Sequence, residues 1–234
     1  MKRSIFVVGT DTGVGKTVIC GLLGRYLSSK GYNTITQKWI ESGAKNFSAD
    51  VNMHLRLMKK RRKDIQQYLA HVSPYVFKLP VAAHLAARLE GKVVNARRIK
   101  ASFKILSKIF DFVIVEGMGG ALVPFNEKEL VIDIAADLHL PVLIVAANKL
   151  GAINHTVLTV EAIEKRKMPI LGIVYNESDN KTEKIILKDN PKIIKRLTGK
   201  KTLGVLPRKG NADLLYSGFI QIGKNILSEL KGSR

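Results

Sequence analysis

The chain has 234 residues, 46% of them hydrophobic, with 39 basic residues against 19 acidic ones and a formal net charge of +20. That length suits a single domain over residues 1–234, and no apolar run is long enough for a membrane-spanning helix, so no membrane association is expected. One cysteine, Cys20, excludes an internal disulfide and any cysteine-based metal site; with no room for a leader before the first apolar run, a cytoplasmic location is expected.

The first apolar run, residues 4–8, leads into GTDTGVGKT at residues 9–17, and a helical stretch from Val18 follows. A strand feeding a glycine-rich turn that opens a helix is a phosphate cradle. Backbone N–H groups of the turn and the positive end of the helix converge on an anion. Lys16 extends to the terminal phosphates, and the Thr17 hydroxyl is placed to ligate magnesium. Gly13 and Gly15 are expected because side chains there would crowd the phosphate. The spacing departs from the usual pattern in one respect: Thr10 stands where the first glycine belongs, one residue after Gly9. Cys20, on the apolar side of the helix that follows, reads as a small core residue.

Further strands are expected over residues 33–38, 111–115, 141–147, 169–175 and 202–206. Several are unbroken runs of Val, Ile and Leu, the pattern of strands buried on both faces of a parallel sheet. Helical patterns fall between and around them, at residues 81–88, 95–109 and 216–230. In the second, Ile99, Phe103, Leu106 and Ile109 share one face. This βαβ rhythm predicts an α/β fold of three layers, a mostly parallel sheet flanked by helices, with the P-loop NTPase arrangement. Ligands then sit beyond the carboxyl ends of the strands.

The residues at those ends carry chemistry. Lys38 ends the second strand, where an ammonium beside bound phosphates stabilises charge on a transferring phosphoryl group. Glu116 ends the aliphatic run at residues 112–115, an arrangement that holds magnesium directly or through water. Gly117, Met118 and Gly119 follow it and let backbone approach a ligand. The segment KLGAINHT at residues 149–156 opens another helix, which Asn154 or Thr156 is expected to cap and whose free N–H groups suit a carboxylate. Asn176, and then Pro207, Arg208 and Lys209, follow later strands at positions able to read a base edge.

The net charge favours anionic partners, and residues 59–63 form an unbroken basic run. No aromatic residues interleave that run, and no helix-turn-helix or RNA-recognition pattern is present. Lys100, Lys104 and Lys108 read as a solvated stripe, so no specific nucleic-acid partner is expected.

GTDTGVGKT at residues 9–17, QK with SG at residues 37–43, VEGMGG at residues 115–120, KLGAINHT at residues 149–156, Asn176 and GVLP at residues 204–207 together resemble the dethiobiotin synthetase family. The segment SPYVF at residues 73–77, with His84 downstream, matches as well. The resemblance runs to about residue 215, and the pairing of the first motif with KLGAINH is its most specific part. It implies an ATP-dependent ligase that closes the ureido ring of dethiobiotin from 7,8-diaminononanoate and CO2. Position by position, it implies that Thr12, Lys38 and Ser42 contact the diamine or its carbamate. Thr17, Asp50 and Glu116 would hold Mg2+. ATP would be bound by Gly13, Val14, Gly15, Lys16, Thr17, Val18, Asp50, Glu116, Gly117, Met118, Gly119, Asn176, Pro207, Arg208 and Lys209, with Lys16 and Lys38 catalytic. Leu150, Gly151, Ala152, Ile153 and Asn154 would hold the substrate carboxylate of the partner subunit, which implies a homodimer with a composite site. Trp39 departs from the family's usual proline, a change expected to alter the path toward Ser42.

The alternative reading is a regulatory ATPase of the MinD and ParA type. Those proteins carry a signature lysine where Asp11 stands, and they lack the KLGAINHT segment. A cobyrinate or cobyrate amidation enzyme would need a glutaminase domain for which the chain is too short.

Overall fold

The computed structural model describes residues 3–177, 182–208 and 210–232. Its main sheet has six strands in the order β2 (Thr34–Lys38), β5 (Phe112–Glu116), β1 (Arg3–Gly9), β6 (Val142–Ala147), β7 (Ile170–Asn176) and β8 (Thr202–Leu206). Every pairing within it is parallel. The expected strands are therefore all present, with ends shifted by a residue or so.

Alternation along each buried strand builds two cores. Phe6 and Val8 of β1, Val113 and Val115 of β5 and Ile144 of β6 point to one face. There they meet Ile99, Phe103 and Leu106 of α5 (Ala96–Ile109), Ile132 of α6 (Val131–Asp137) and Val160 and Ile163 of α7 (Ala152–Glu164). Ile5, Val7, Ile114 and Val145 point to the other face, against Ile19 and Leu23 of α1 (Lys16–Ser29) and Phe219 and Ile226 of α9 (Ala212–Gly232). A sheet with both faces covered cannot alternate polar and apolar residues, hence the unbroken aliphatic runs. One expectation for α5 fails: Ile109 is 43% exposed, because the helix ends there and Phe110 turns into the core in its place.

Two short strands lie outside this sheet and are not legible as a period: β3 (Ile40–Ser42) pairs in parallel with β4 (Tyr75–Phe77). Trp39 explains the departure of the chain after Lys38. Its indole is buried, stacks on Phe6 at 5.5 Å between centroids and donates to Gln37 Oε1 at 2.8 Å. The chain leaves the main sheet at this anchor and presents Ile40, Glu41 and Ser42 to the space above β2. Helices α2 (Ala49–Leu57), α3 (Leu69–Val72), α4 (Ala83–Leu89) and α8 (Lys184–Thr198), with a 3-10 segment Arg62–Tyr68, complete the described elements. Among the described residues, no helix is long and apolar enough to cross a membrane.

Three side chains of the basic run at residues 59–63 have partners in the fold, although the run is mostly exposed. Lys59 pairs with Asp213 at 3.0 Å, Lys60 donates to the Thr34 carbonyl at 3.0 Å, and the Arg62 guanidinium lies 4.3 Å from the Phe47 ring centroid.

Candidate active site

Strand order reverses around β1, with β5 on one side and β6 on the other, and the turn after β1 opens into that crevice. Gly15 is the N-cap of α1 in a left-handed conformation and offers no side-chain acceptor, so the first N–H groups of the helix face outward for an anion. The reason for glycine here is partly other than expected. A Cβ on Gly15 would come within 2.2 Å of Asn176 Nδ2, whereas one on Gly13 would meet no protein atom within 4 Å. Asn176 in turn donates to the Val14 carbonyl at 3.0 Å, which ties the end of β7 to the phosphate turn.

A cavity of about 720 Å³ lies over this turn, lined by Thr12, Gly13, Gly15, Lys16, Thr17, Val18, Lys38, Ser42, Asp50, Glu116, Met118 and Gly119 of the predicted residues. Ile40, Glu41, Pro80, Val81, Ala82 and Val123 complete its wall. The last four lie in loops or at the edge of α4, where the sequence carries no chemical signal.

At its floor the three predicted magnesium ligands converge. Thr17 Oγ1 lies 3.1 Å from Asp50 Oδ1 and 3.0 Å from Glu116 Oε1. Three hard oxygen donors, two of them carboxylate, suit Mg2+ in chemistry and charge. Lys38 Nζ lies between the same carboxylates, 2.8 Å from Asp50 Oδ2 and 2.9 Å from Glu116 Oε1, and also donates to the Gly117 carbonyl at 3.0 Å. Burial alone would push the Lys38 ammonium down, but Glu116 and Asp50 outweigh it and hold it above the usual lysine range. Burial likewise pushes Glu116 up, and Lys38 with His54 reverses this, so its carboxyl sits well below the usual range. Lys16 Nζ donates to the carbonyls of Asp11 at 3.0 Å and Gly119 at 2.8 Å; burial first, and then Lys38, lowers its pKa.

Two groups here escaped sequence reasoning. Glu41, at β3, accepts from Ser48 Oγ and from the Ala49 N–H at 2.8 Å, so its carboxylate sits on the N-terminus of α2 and fixes the helix that carries Asp50. Burial pushes its pKa up. His54 lies four residues after Asp50 on the same helix face, and its Nε2 is 2.7 Å from Glu116 Oε2. The i, i+4 spacing was the available signal.

Cys20 Sγ, a His54 ring nitrogen and a Glu116 oxygen lie within 4.8 Å of one another. Burial pushes the thiol well above its ordinary pKa, so Cys20 stays a protonated core residue beside the oxygen site.

The remaining predicted residues lie elsewhere. Val14 is buried behind the turn, and the Gly117 carbonyl serves Lys38. Pro207 and exposed Arg208 follow β8 outside the cavity; Lys209 falls outside the described residues. Leu150 is 81% exposed, and residues 150–154 do not line this chain's cavity. The cap of α7 is Gly151 in a left-handed conformation, not Asn154 or Thr156. Asn154 lies in the first turns, exposed, and the Thr156 hydroxyl donates back to the Ala152 carbonyl at 2.6 Å.

A family signature described as an AAA domain matches residues 3–213. The chain is 34% identical to the ATP-dependent dethiobiotin synthetase BioD of Thermodesulfovibrio yellowstonii, over 88% of this chain and 89% of that protein. It is 40% identical to the BioD of an Anaeromyxobacter species over 88% and 90%, and 38% identical to that of Chlorobaculum tepidum over 79% and 77%. The chain belongs to the dethiobiotin synthetase family. It is therefore an ATP-dependent enzyme of the ligase class. Likeness to solved regulatory ATPases is confined to the fold. The cell-division ATPase MinD of Pyrococcus furiosus superposes with a TM-score of 0.59 at 18% identity, covering 97% of this chain and 99% of that one. The pNOB8 ParA bound to nonspecific DNA gives 0.65 at 12% identity over the whole of both chains.

Proposed function

We propose that this synthetase forms dethiobiotin from 7,8-diaminononanoate, CO2 and ATP through a phosphorylated carbamate. One amino group of the diamine adds to CO2 and loses a proton, giving a carbamate. A carbamate oxygen attacks the γ-phosphorus of ATP and ADP leaves. The second amine then attacks the carbonyl carbon and loses a proton, closing the ring and expelling phosphate. The observation that carries this reading is the convergence of Lys16, Lys38, Thr17, Asp50 and Glu116 on one cavity at the phosphate turn.

Carbamate and ATP are both anions, so cations must offset their repulsion. Lys16 serves the terminal phosphates. Lys38, held at the cavity floor, orients the carbamate and stabilises the charge that develops on the transferring phosphoryl group. Thr17, Asp50 and Glu116 would hold Mg2+, which supplies charge neutralisation between the phosphates when bound. Thr12 and Ser42 at the cavity wall are placed for the diamine, and the loop residues Pro80 and Val81 shield a labile anhydride from water. Asn176, at the turn, serves the base side with Pro207 and Arg208. Residues 150–154, of which Leu150, Gly151 and Asn154 are exposed, lie away from their own cavity and suit a partner subunit's site in a homodimer. A cytoplasmic location accords with these soluble substrates.

The test is ADP release at moderate salt. It should require diamine and bicarbonate together, because the phosphoryl acceptor forms only from both. Stimulation by duplex DNA with indifference to the diamine would instead favour the partitioning ATPase, for which only the fold speaks. Binding of DNA alone decides nothing for a chain of charge +20, since nonspecific contact fades with salt.

A further inference from the structure

The buried face of α2 carries a group that the chemistry above does not use. His54 is fully buried, its Nε2 lies 2.7 Å from Glu116 Oε2, and its Nδ1 has no hydrogen-bond partner among the described residues. A carboxylate oxygen only accepts, so Nε2 is the protonated nitrogen and donates. The two oxygens of Glu116 are thereby divided. Oε2 is taken by His54, while Oε1 faces Thr17 Oγ1 at 3.0 Å and Lys38 Nζ at 2.9 Å.

We infer that His54 is a positioning residue for the Glu116 carboxylate. By occupying Oε2 it fixes the rotation of the carboxyl plane and presents Oε1 to the cation side of the cavity. Without it the carboxyl is free to turn about its last bond and to engage the Lys38 ammonium with both oxygens. The helix that carries the imidazole is itself held rigidly. Ser48 caps it by accepting from the Val51 N–H at 2.9 Å, Glu41 sits on its N-terminus, and α1 packs against it so closely that a Cβ on Gly21 would lie 3.2 Å from the His54 Cα. Asp50, on the same face, is oriented with it. The inference rests on the proposed magnesium role of Glu116, and outer partners of a metal-bound carboxylate commonly alter metal affinity or activity by about 10- to 100-fold.

The test measures ADP binding calorimetrically to the whole protein, across a Mg2+ titration and in EDTA, for wild type, His54→Leu and His54→Gln. His54→Leu removes the donor at similar volume; His54→Gln returns an N–H near the Nε2 position. We expect His54→Leu to raise the Mg2+ concentration for half-maximal enhancement of ADP binding by about tenfold. Binding in EDTA should be unchanged, and His54→Gln should stay within about threefold of wild type. Equal weakening with and without Mg2+, or a wild-type Mg2+ titration in His54→Leu, overturns the inference. Should His54→Leu not fold, His54→Asn, whose amide is too short to reach, replaces it with the same two outcomes. Failure of the functional reading appears separately, as wild-type protein that binds Mg-ADP but forms no ADP from ATP when diamine and bicarbonate are supplied.

Discussion

Lys38 and Glu116 are register partners on the adjacent parallel strands β2 and β5, and their side chains form a buried ion pair 2.9 Å long. Parallel register sends both side chains to the same face at the carboxyl end of the sheet, where ligands of this fold class bind. The pair holds a cation and a carboxylate in the buried floor of the cavity.

Breaking the pair should therefore harm folding as well as turnover. Lys38→Met leaves Glu116 buried beside only partial compensation and is expected to cost about 3 kcal/mol or more. The double variant Lys38→Met/Glu116→Gln should be less destabilised than the sum of the singles. Urea unfolding of the four proteins checks this; strict additivity would mean the two groups do not interact.

The pH dependence follows from the direction of the two shifts. A carboxyl lowered by folding contributes fully above its unfolded value, near 4.3, and its contribution is lost as pH falls below that toward the folded value. A lysine raised by folding contributes fully below about pH 10.4 and loses that contribution as pH rises through the folded value. The pair thus stabilises fully from about pH 5 to about pH 10. The stability gap between wild type and Glu116→Gln should shrink as pH is lowered from about 6 to about 3. A gap independent of pH in that window contradicts the assignment.

Lys16→Ala should reduce turnover by on the order of a hundredfold or more, since charge stabilisation dominates phosphoryl transfer. Steady-state ADP release checks it, and near-normal turnover would sink the phosphate-turn reading.

The two glycines of the turn should respond differently to alanine. Gly15→Ala meets both a φ of +103° and an amide 2.2 Å away, so it must displace Asn176, loosen the turn and weaken nucleotide binding. Gly13→Ala faces only a φ of +74° and open space, an expected cost of about 1 kcal/mol. Nucleotide titrations on wild type and both variants measure this, and equal losses for Gly13→Ala and Gly15→Ala would contradict it.

If residues 150–154 serve the neighbouring subunit, inactive Lys38→Ala and Asn154→Glu proteins should complement when mixed and allowed to exchange. About a quarter of wild-type activity is expected, because half of random dimers are mixed and each has one intact site of two. Fully exchanged mixtures that stay inactive would mean each site is built within one chain.

Local signals made much of this protein readable without coordinates. Unbroken aliphatic runs marked several of the six strands because both sheet faces are covered, and the GTDTGVGKT turn marked the anion site because strand, turn and helix are contiguous there. Glu116 was visible as a carboxylate ending an aliphatic run, and Lys38 as a lysine ending an expected strand. Signals shorter than a period were not readable: β3 and β4 are three residues each, and the α7 cap turned on a glycine conformation instead of a polar side chain. Nor could the chain order say that β5 inserts between β2 and β1. Only that insertion brings Lys38 beside Glu116 and lays α2 over both, so that His54 meets a carboxylate 62 residues away. Strand order and helix packing depend on contacts distant in sequence, and no local periodicity encodes them.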